Sequence, residues 1–286
     1  MSGPALVLVV CAAILHAIWN ALAKRADNQF VFLWCSVSLA TALLLPLGLL
    51  RLPAEPAPAT GLPFVAASVA IHALYFWALG RAYRHGDFSR VYPMARGLGV
   101  ALVPLVALPL FGEHLSWLGS LGVALVVLGI VTLGAMPAAT TSVARASGAG
   151  TFWALVTGLT IAAYSLVDKA GVARLHPMPY IALMGVGLSV VLAPLVLADR
   201  PALGREWRRH WRTILVASAM NLTSYLLVLF AFRFSKVGYV VASRELSILF
   251  SAFIGSLWLG EGRLAPRLAG ASVVLAGVVC VALARE

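Results

Sequence analysis

Long apolar segments follow one another along the whole chain, and most are separated by short polar stretches. A helix needs about 20 apolar residues to cross a bilayer. Ten segments have about this length, namely residues 4–23, 30–50, 62–82, 91–111, 115–136, 151–171, 179–197, 211–232, 237–259 and 264–284. The pattern predicts an all-α polytopic membrane protein with ten transmembrane helices in one bundle.

Composition supports this fold class, because 62% of the residues are hydrophobic and only 11% are charged. Soluble domains carry about 25% charged residues. The first segment is not predicted to be a cleaved signal peptide, since no Lys or Arg precedes it and Lys24 and Arg25 follow it. Cys11, Cys35 and Cys280 lie inside apolar segments and are interpreted as packing residues. No cysteine or histidine spacing predicts a metal site, and no cofactor is predicted.

The formal charge of +11 lies mostly between the apolar segments. This placement favours loop charge that orients the chain in the membrane, and no nucleic-acid binding is predicted. With the deep Arg96 and Arg244 set aside, connections after odd-numbered segments carry 13 Lys and Arg residues, and the side of the termini carries 6. The count predicts that both termini lie outside the cytoplasm.

The two halves of the chain resemble each other in sequence. "FGEHLSWLGSLGVALVVLGIVTL" at 111–133 resembles "LGEGRLAPRLAGASVVLAGVVCV" at 259–281, an offset of 148 that also aligns Arg96 with Arg244. Each half has five segments, and an odd number predicts inverted repeats around a central cavity. The predicted repeats are residues 1–137 and 151–286, joined by a linker at 138–150. This architecture favours a site near the membrane midplane that opens to each side alternately.

Four stretches resemble a known family: "HAIWNALAK" at 16–24, "LFGEHLSWLGSLGVALVVLGI" at 110–130, "VASRELSILFSAFIGSLWLGE" at 241–261 and "WLGEGRLAPRLAGASVVLAGV" at 258–278. The chain resembles the ten-helix EamA type of the drug/metabolite transporter superfamily, within a subgroup that begins with His-Ala-x-Trp-Asn. The resemblance implies export or exchange of amino acids, nucleotide sugars, phosphorylated sugars or other small metabolites across a bacterial inner membrane. It also implies the opposite orientation of the termini, so the orientation stays open.

Two arginines lie inside apolar segments at matched positions of the two halves. Arg96 and Arg244 are about 8 and 10 Å from the start of their helices at 1.5 Å per residue. Both could extend their guanidinium groups toward the interface. Their matched placement favours a common centre, where a permanently charged planar group suits a carboxylate or phosphate. Both are therefore candidate substrate-binding residues.

Glu245 follows Arg244 directly, but neighbours on a helix do not face each other. Its predicted partner is Arg96 or Lys24 from another helix. A static ion pair and a proton-coupling carboxylate are both consistent with this position. The candidate coupling or gating residues are Glu245, Asp168 and Lys24. Coupling of transport to proton movement is predicted as one possibility.

Further polar and aromatic residues recur at helical spacing within four of the apolar segments. Each alone could make an interhelical hydrogen bond, but together they are typical of a polar cavity wall. The candidate substrate-binding residues of this group are His16, Trp19, Asn20, His72, Tyr75, Tyr164, Asn221 and Tyr225.

The Gly-Glu turns and the glycines after them have structural explanations. Glu113 and Glu261 directly precede predicted helices, where a carboxylate stabilises the N-terminus, so capping is the favoured role. Glycines in the fifth and tenth segments permit close helix approach, either within the chain or in a homodimer. These glycines are Gly119, Gly122, Gly129, Gly270 and Gly277.

The sequence favours a secondary transporter of a small anionic or zwitterionic metabolite. A membrane-embedded transferase is one alternative, but the chain has no His-rich cluster and no Gly-x-Ser-x-Gly motif, so no enzyme is predicted. A passive membrane scaffold is the other, and it gives no reason for the matched arginines or for Glu245. No nucleotide-binding loop is found, so an ion or substrate gradient is the predicted energy source.

Overall fold

The computed structural model describes residues 1–23, 25–54, 58–85, 88–135, 148–250 and 264–284, and the regular structure within them is helical. Two short 3₁₀ helices, Leu52–Ala54 and Pro58–Thr60, lie between the second and third α-helices. The α-helices are α1 (Gly3–Ala23), α2 (Gln29–Arg51), α3 (Leu62–His85), α4 (Phe88–Phe111), α5 (Trp117–Ala135), α6 (Gly148–Val172), α7 (Pro177–Leu197), α8 (Arg200–Phe234), α9 (Val237–Arg244) and α10 (Leu264–Leu283). Lys24 and Glu261, for which the sequence predicts roles, lie outside the described residues.

Seven of the described helices, α1 to α4 and α6 to α8, are long and apolar enough to cross a membrane. Shorter apolar stretches lie in α5 and α10. Large apolar side chains on the outer surface, such as Leu50 and Leu105, are exposed, which suits contact with lipid tails. The chain is an all-α polytopic membrane protein, and the count of ten crossings stays a prediction.

Two predicted segments differ from the helices observed. The eighth was predicted to begin at residue 211, but α8 begins at Arg200, because Asp199 caps it by accepting from the N–H of Ala202 at 3.0 Å and a proline follows in the first turn. The basic stretch before residue 211 is therefore helical. The ninth was predicted to run from 237 to 259, but α9 ends at Arg244, Glu245 forms a turn, and helix resumes at 246–250. The rest of this predicted segment, 251–259, lies outside the described residues.

Helices α5 and α10 pack against each other along their glycines and run antiparallel. A Cβ added at Gly122 would lie 2.6 Å from the carbonyl oxygen of Gly277, and one added at Gly129 would lie 2.9 Å from that of Gly270. The lower-numbered glycine of α5 thus meets the higher-numbered glycine of α10. These glycines are used for packing within the chain.

The packing is symmetric when each helix is exchanged with the fifth helix after it. The contact of α3 with α6 corresponds to that of α8 with α1, and the contact of α4 with α6 corresponds to that of α9 with α1. Pro46 in α2 and Pro194 in α7 are 148 positions apart, as are the N-caps Asn28 and His176 of the same two helices. This is the packing expected of inverted repeats, whose exact boundaries stay a prediction.

Candidate functional site

An ion pair inside the bundle joins α4 to the turn after α9. Arg96 Nε donates to Glu245 Oε2 at 3.0 Å, and its Nη2 donates to the other carboxylate oxygen. Both groups are buried, with 7% of Arg96 and 1% of Glu245 exposed. The sequence left Arg96 and Lys24 open as partners of Glu245, and in the structure Glu245 pairs with Arg96. The pair is bidentate, the arrangement that gives an arginine–carboxylate pair its strength and direction.

Arg244 points elsewhere and has no carboxylate partner among the described residues. Its guanidinium carbon lies 5.6 Å from the ring centroid of Tyr225, and its Nε atom is buried with no hydrogen-bond partner in the described segments. The position that matches Glu245 in the first half is Gly97, which has no carboxylate. The two matched arginines are therefore not equivalent. Glu245 neutralises the arginine of the first half, and Arg244 has no counterion in the part of the chain that the structure describes.

A second buried group surrounds the carboxylate of Asp168, which is fully shielded from solvent. Ser68 Oγ donates to Oδ1 at 2.6 Å, the hydroxyl of Tyr180 donates to the same oxygen at 2.7 Å, and the hydroxyl of Tyr225 donates to Oδ2. No cation pairs with Asp168 within the described part of the chain. The carboxylate is held by three hydroxyl groups from α3, α7 and α8, so its charge is solvated by dipoles.

His72 lies between this carboxylate and the aromatic residues. Its Nδ1 lies 2.9 Å from the carbonyl oxygen of Ser68, which can only accept, so Nδ1 carries a proton. Its Nε2 lies 3.3 Å from the hydroxyl of Tyr225. In the neutral imidazole Nε2 is an acceptor, so the single hydroxyl proton of Tyr225 can go either to His72 or to Asp168. The imidazole also stacks on Tyr164, with ring centroids 4.4 Å apart.

The residues predicted on α1 approach this region to different degrees. His16 is half-buried, makes an edge contact with Trp19 at 5.1 Å, and lies within electrostatic range of Arg96 and Arg244. The Nε1 atom of Trp19 is buried without a hydrogen-bond partner among the described residues. Asn20 is exposed, and its amide donates to the carbonyl oxygen of His16 on the same helix at 2.7 Å. The structure thus brings His16 toward the arginines, places Trp19 beside His16, and leaves Asn20 at the surface.

Two other predicted residues lie at the edge of the group. Tyr75 is half-buried and meets Tyr164 edge-on at 5.9 Å. Asn221 is half-buried on α8, one helical turn before Tyr225. Sequence reasoning missed Ser68 and Tyr180, which contact Asp168 directly. The only available signal was that a polar residue within an apolar helix tends to have a partner.

Glu113 and Lys169 connect the two halves at one end of the bundle. Glu113 Oε2 accepts from the N–H of Val237 at 2.7 Å, so this carboxylate caps α9 and not the helix that follows it in sequence. Lys169 Nζ lies 3.3 Å from the other oxygen of Glu113 and donates to the carbonyl oxygen of Ser235 at 2.7 Å. Lys169 therefore stabilises the end of α8, where helical carbonyl groups lack partners.

Comparisons with known proteins identify the family of the chain. The EamA-like transporter family matches residues 148–283, which run from the start of α6 to the end of α10. The nicotine metabolites export pump subunit NepA of Paenarthrobacter nicotinovorans is 35% identical over 97 residues, which are 31% of this chain and 84% of NepA. The probable 4-amino-4-deoxy-L-arabinose-phosphoundecaprenol flippase subunit ArnF of Pseudomonas fluorescens (strain Pf0-1) is 41% identical over 81 residues, 26% of this chain and 60% of ArnF.

A solved protein structure shares the fold of the chain as a whole. It is 17% identical, covers 99% of this chain and 97% of its own, and superposes with a TM-score of 0.69. The chain forms an apolar helical bundle with buried charged groups, and its sequence is similar to those of export pump and flippase subunits. Together these findings indicate a membrane transporter of small molecules. The chain belongs to the EamA-like transporters of the drug/metabolite transporter superfamily.

Proposed function

We propose that this chain is a secondary transporter, an exporter or exchanger, that moves a small anionic or zwitterionic metabolite across a bacterial inner membrane by alternating access. The observation that carries the proposal is the placement of two opposite charges at one tyrosine, the buried carboxylate of Asp168 and the half-buried guanidinium of Arg244. Arg244 lies over the ring of Tyr225, and the hydroxyl of the same tyrosine donates to Asp168. Neither charge has an ionic partner within the described residues.

Arg244 is the proposed contact for the anionic group of the substrate. A guanidinium offers several donors in one plane and binds carboxylate or phosphate in a bidentate manner. The Nε donor of Arg244 is buried and finds no acceptor within the residues that the structure describes, and a buried donor without an acceptor is costly. A substrate carboxylate or phosphate would supply the acceptor. His16, Trp19 and Asn221 are proposed to complete the wall of the site.

Asp168 with its hydroxyl groups is the proposed contact for a positive group. A substrate ammonium, or a proton taken up by Asp168 or His72, would compensate the carboxylate charge. A zwitterion whose acid group faces Arg244 and whose amino group faces Asp168 would satisfy both ends. His72, Tyr75 and Tyr164 form the aromatic side of this proposed site.

The Arg96–Glu245 pair is the proposed gate. It links α4 of the first half to the interrupted ninth helix of the second half, and interrupted helices at membrane depth are typical of transporter sites. Rocking of the halves would break the pair in one of the two states. Protonation of Glu245 would then become favourable, which couples the movement to protons. In this role Arg96 binds substrate only when Glu245 releases it.

Flux of labelled metabolites into proteoliposomes tests the proposal, with anionic, zwitterionic and cationic compounds compared side by side. Arg244→Gln is expected to lower the flux of anionic or zwitterionic substrate at least about tenfold, because it removes a charge-assisted contact. Arg233→Gln is the matched control, since Arg233 is an exposed arginine on α8. Normal flux in Arg244→Gln, or flux of cationic compounds only, would contradict the proposal.

A second measurement addresses the gate. Glu245→Gln retains the shape of the side chain but cannot ionise, so this variant is expected to lose the pH dependence of net transport and to retain substrate binding. Flux is measured across a range of external pH values, and binding is measured on the purified protein. A pH profile identical to that of the wild type would reduce Glu245 to a structural residue.

A further inference from the structure

A cluster of three side chains lies outside the transport site, where the connection between α1 and α2 meets the basic N-terminal part of α8. Glu206 and His210 are four residues apart on α8 and share one helix face. Asp27 directly precedes the N-cap of α2. His210 Nε2 lies 3.6 Å from Asp27 Oδ2 and 3.9 Å from Glu206 Oε1. One ligand atom from each residue falls within 4.8 Å of the others.

The two groups on α8 have unused polar atoms that face each other. Glu206 is 1% exposed, and its Oε2 accepts from the N–H of Asn28 at 2.9 Å. Its Oε1 is buried without a hydrogen-bond partner, and so is Nε2 of His210, as far as the described residues extend. A buried carboxylate oxygen without a donor carries a desolvation penalty. A cation between the two atoms would remove that penalty.

We propose that Asp27, Glu206 and His210 bind a divalent transition-metal ion of the Zn²⁺ class. One imidazole nitrogen and two carboxylate oxygens suit such ions, and a water molecule would take the remaining position. Bond lengths of about 2.0–2.2 Å in a tetrahedral site place ligand atoms roughly 3.3–3.6 Å apart. The separation of His210 from Asp27, 3.6 Å, lies at the upper end of this range, that from Glu206, 3.9 Å, exceeds it, and no pair of ligand atoms is more than 4.8 Å apart. Asp27 is half-exposed, so side-chain rotations would bring the ligands into range.

Arg209 competes with the ion for Asp27. Its Nη1 lies 3.1 Å from Asp27 Oδ2, and 71% of its side chain is exposed. An exposed ion pair of this kind is weak and readily exchanged. Removal of Arg209 is therefore expected to leave metal binding intact or to strengthen it, whereas removal of a ligand should weaken it. This opposite response separates a metal site from a network of ordinary salt bridges.

The sequence predicted no metal site, because two of the ligands lie on α8 and the third lies in a distant connection. The site would link the α1–α2 connection in the first half to α8 in the second. Binding should therefore stabilise the folded chain by mass action.

The test uses the purified full-length protein in detergent after treatment with a chelator. Calorimetric titration with Zn²⁺ is expected to give one site per chain, and Co²⁺ is expected to give visible absorption bands of a nitrogen- and oxygen-ligated ion. Zn²⁺ should also raise the thermal unfolding temperature. Glu206→Gln and His210→Gln are each expected to lose at least about tenfold in affinity, in line with losses seen at metal sites.

Two controls keep the outcome clear. Arg209→Gln is expected to bind Zn²⁺ at least as tightly as the wild type, and His114→Gln removes an exposed histidine outside the cluster and should change nothing. If the α8 variants fail to fold, Asp27→Asn at the half-exposed ligand still reports on the site. Absence of Zn²⁺ and Co²⁺ binding in the wild type, or equal binding in the ligand variants, would overturn the proposal.

Discussion

The buried pair of Arg96 and Glu245 gives the sharpest prediction on stability. Arg96→Met leaves a carboxylate without its cation, and Glu245→Leu leaves a guanidinium without its anion. Only 7% of Arg96 and 1% of Glu245 is exposed, so water cannot replace the lost partner. Breaking a buried pair in this way costs about 3–5 kcal/mol. Each single variant is expected to lose this amount of unfolding free energy.

The double variant Arg96→Met with Glu245→Leu is expected to behave differently. It removes both charges together, and replacement of a buried pair by apolar residues of similar volume is often neutral or stabilising by about 1–4 kcal/mol. The unfolding free energy of the double variant should therefore lie above that of either single variant. The coupling energy from the cycle should exceed about 3 kcal/mol, which is more than two orders of magnitude in the unfolding equilibrium.

The assay is unfolding of the purified protein in mixed micelles, followed by helical circular dichroism as the denaturing detergent increases. Arg209→Gln is the control, because its ion pair with Asp27 is exposed and should contribute less than about 1 kcal/mol. A double variant whose loss equals the sum of the two single losses would refute the reasoning, since the two charges would then be independent.

Three further variants test other contacts. Gly122→Val places a Cβ 2.6 Å from a carbonyl oxygen on α10 and should lower the unfolding free energy by at least about 1–3 kcal/mol. In the same unfolding assay Gly204→Val should be neutral, because a Cβ there meets only the end of the Arg208 side chain at 3.9 Å. Asp168→Asn retains an acceptor for two of the three hydroxyls, so a loss of about 1–2 kcal/mol is expected together with lost flux in proteoliposomes. Lys169→Met leaves the carbonyl oxygen of Ser235 without this donor and should cost about 1–2 kcal/mol in the same micelle assay, and an unchanged midpoint would contradict the capping role.

The fold class followed from the sequence for a physical reason. In a bilayer the backbone polar groups must be satisfied within each segment, so long apolar segments become helices. The matched glycines also carried information, because a residue without a side chain marks a close helix approach. The sequence left open whether these glycines pack within the chain or in a homodimer, and the structure places the glycines of α5 against those of α10. The helix bounds were predicted less well where charged residues lie inside a helix. The basic N-terminal part of α8 is the example, because its charges were interpreted as a connection.

The sequence by itself determined which residues carry charge inside the bundle, namely Arg96, Asp168, Arg244 and Glu245, because any ionisable residue in an apolar helix is conspicuous. It did not determine how those charges are paired. Pairing depends on the rotation and depth of helices that are far apart in sequence, and on the turn at Glu245 that separates this residue from Arg244. Only the tertiary structure showed that Glu245 pairs with Arg96, that hydroxyl groups surround Asp168, and that Arg244 has no counterion among the described residues.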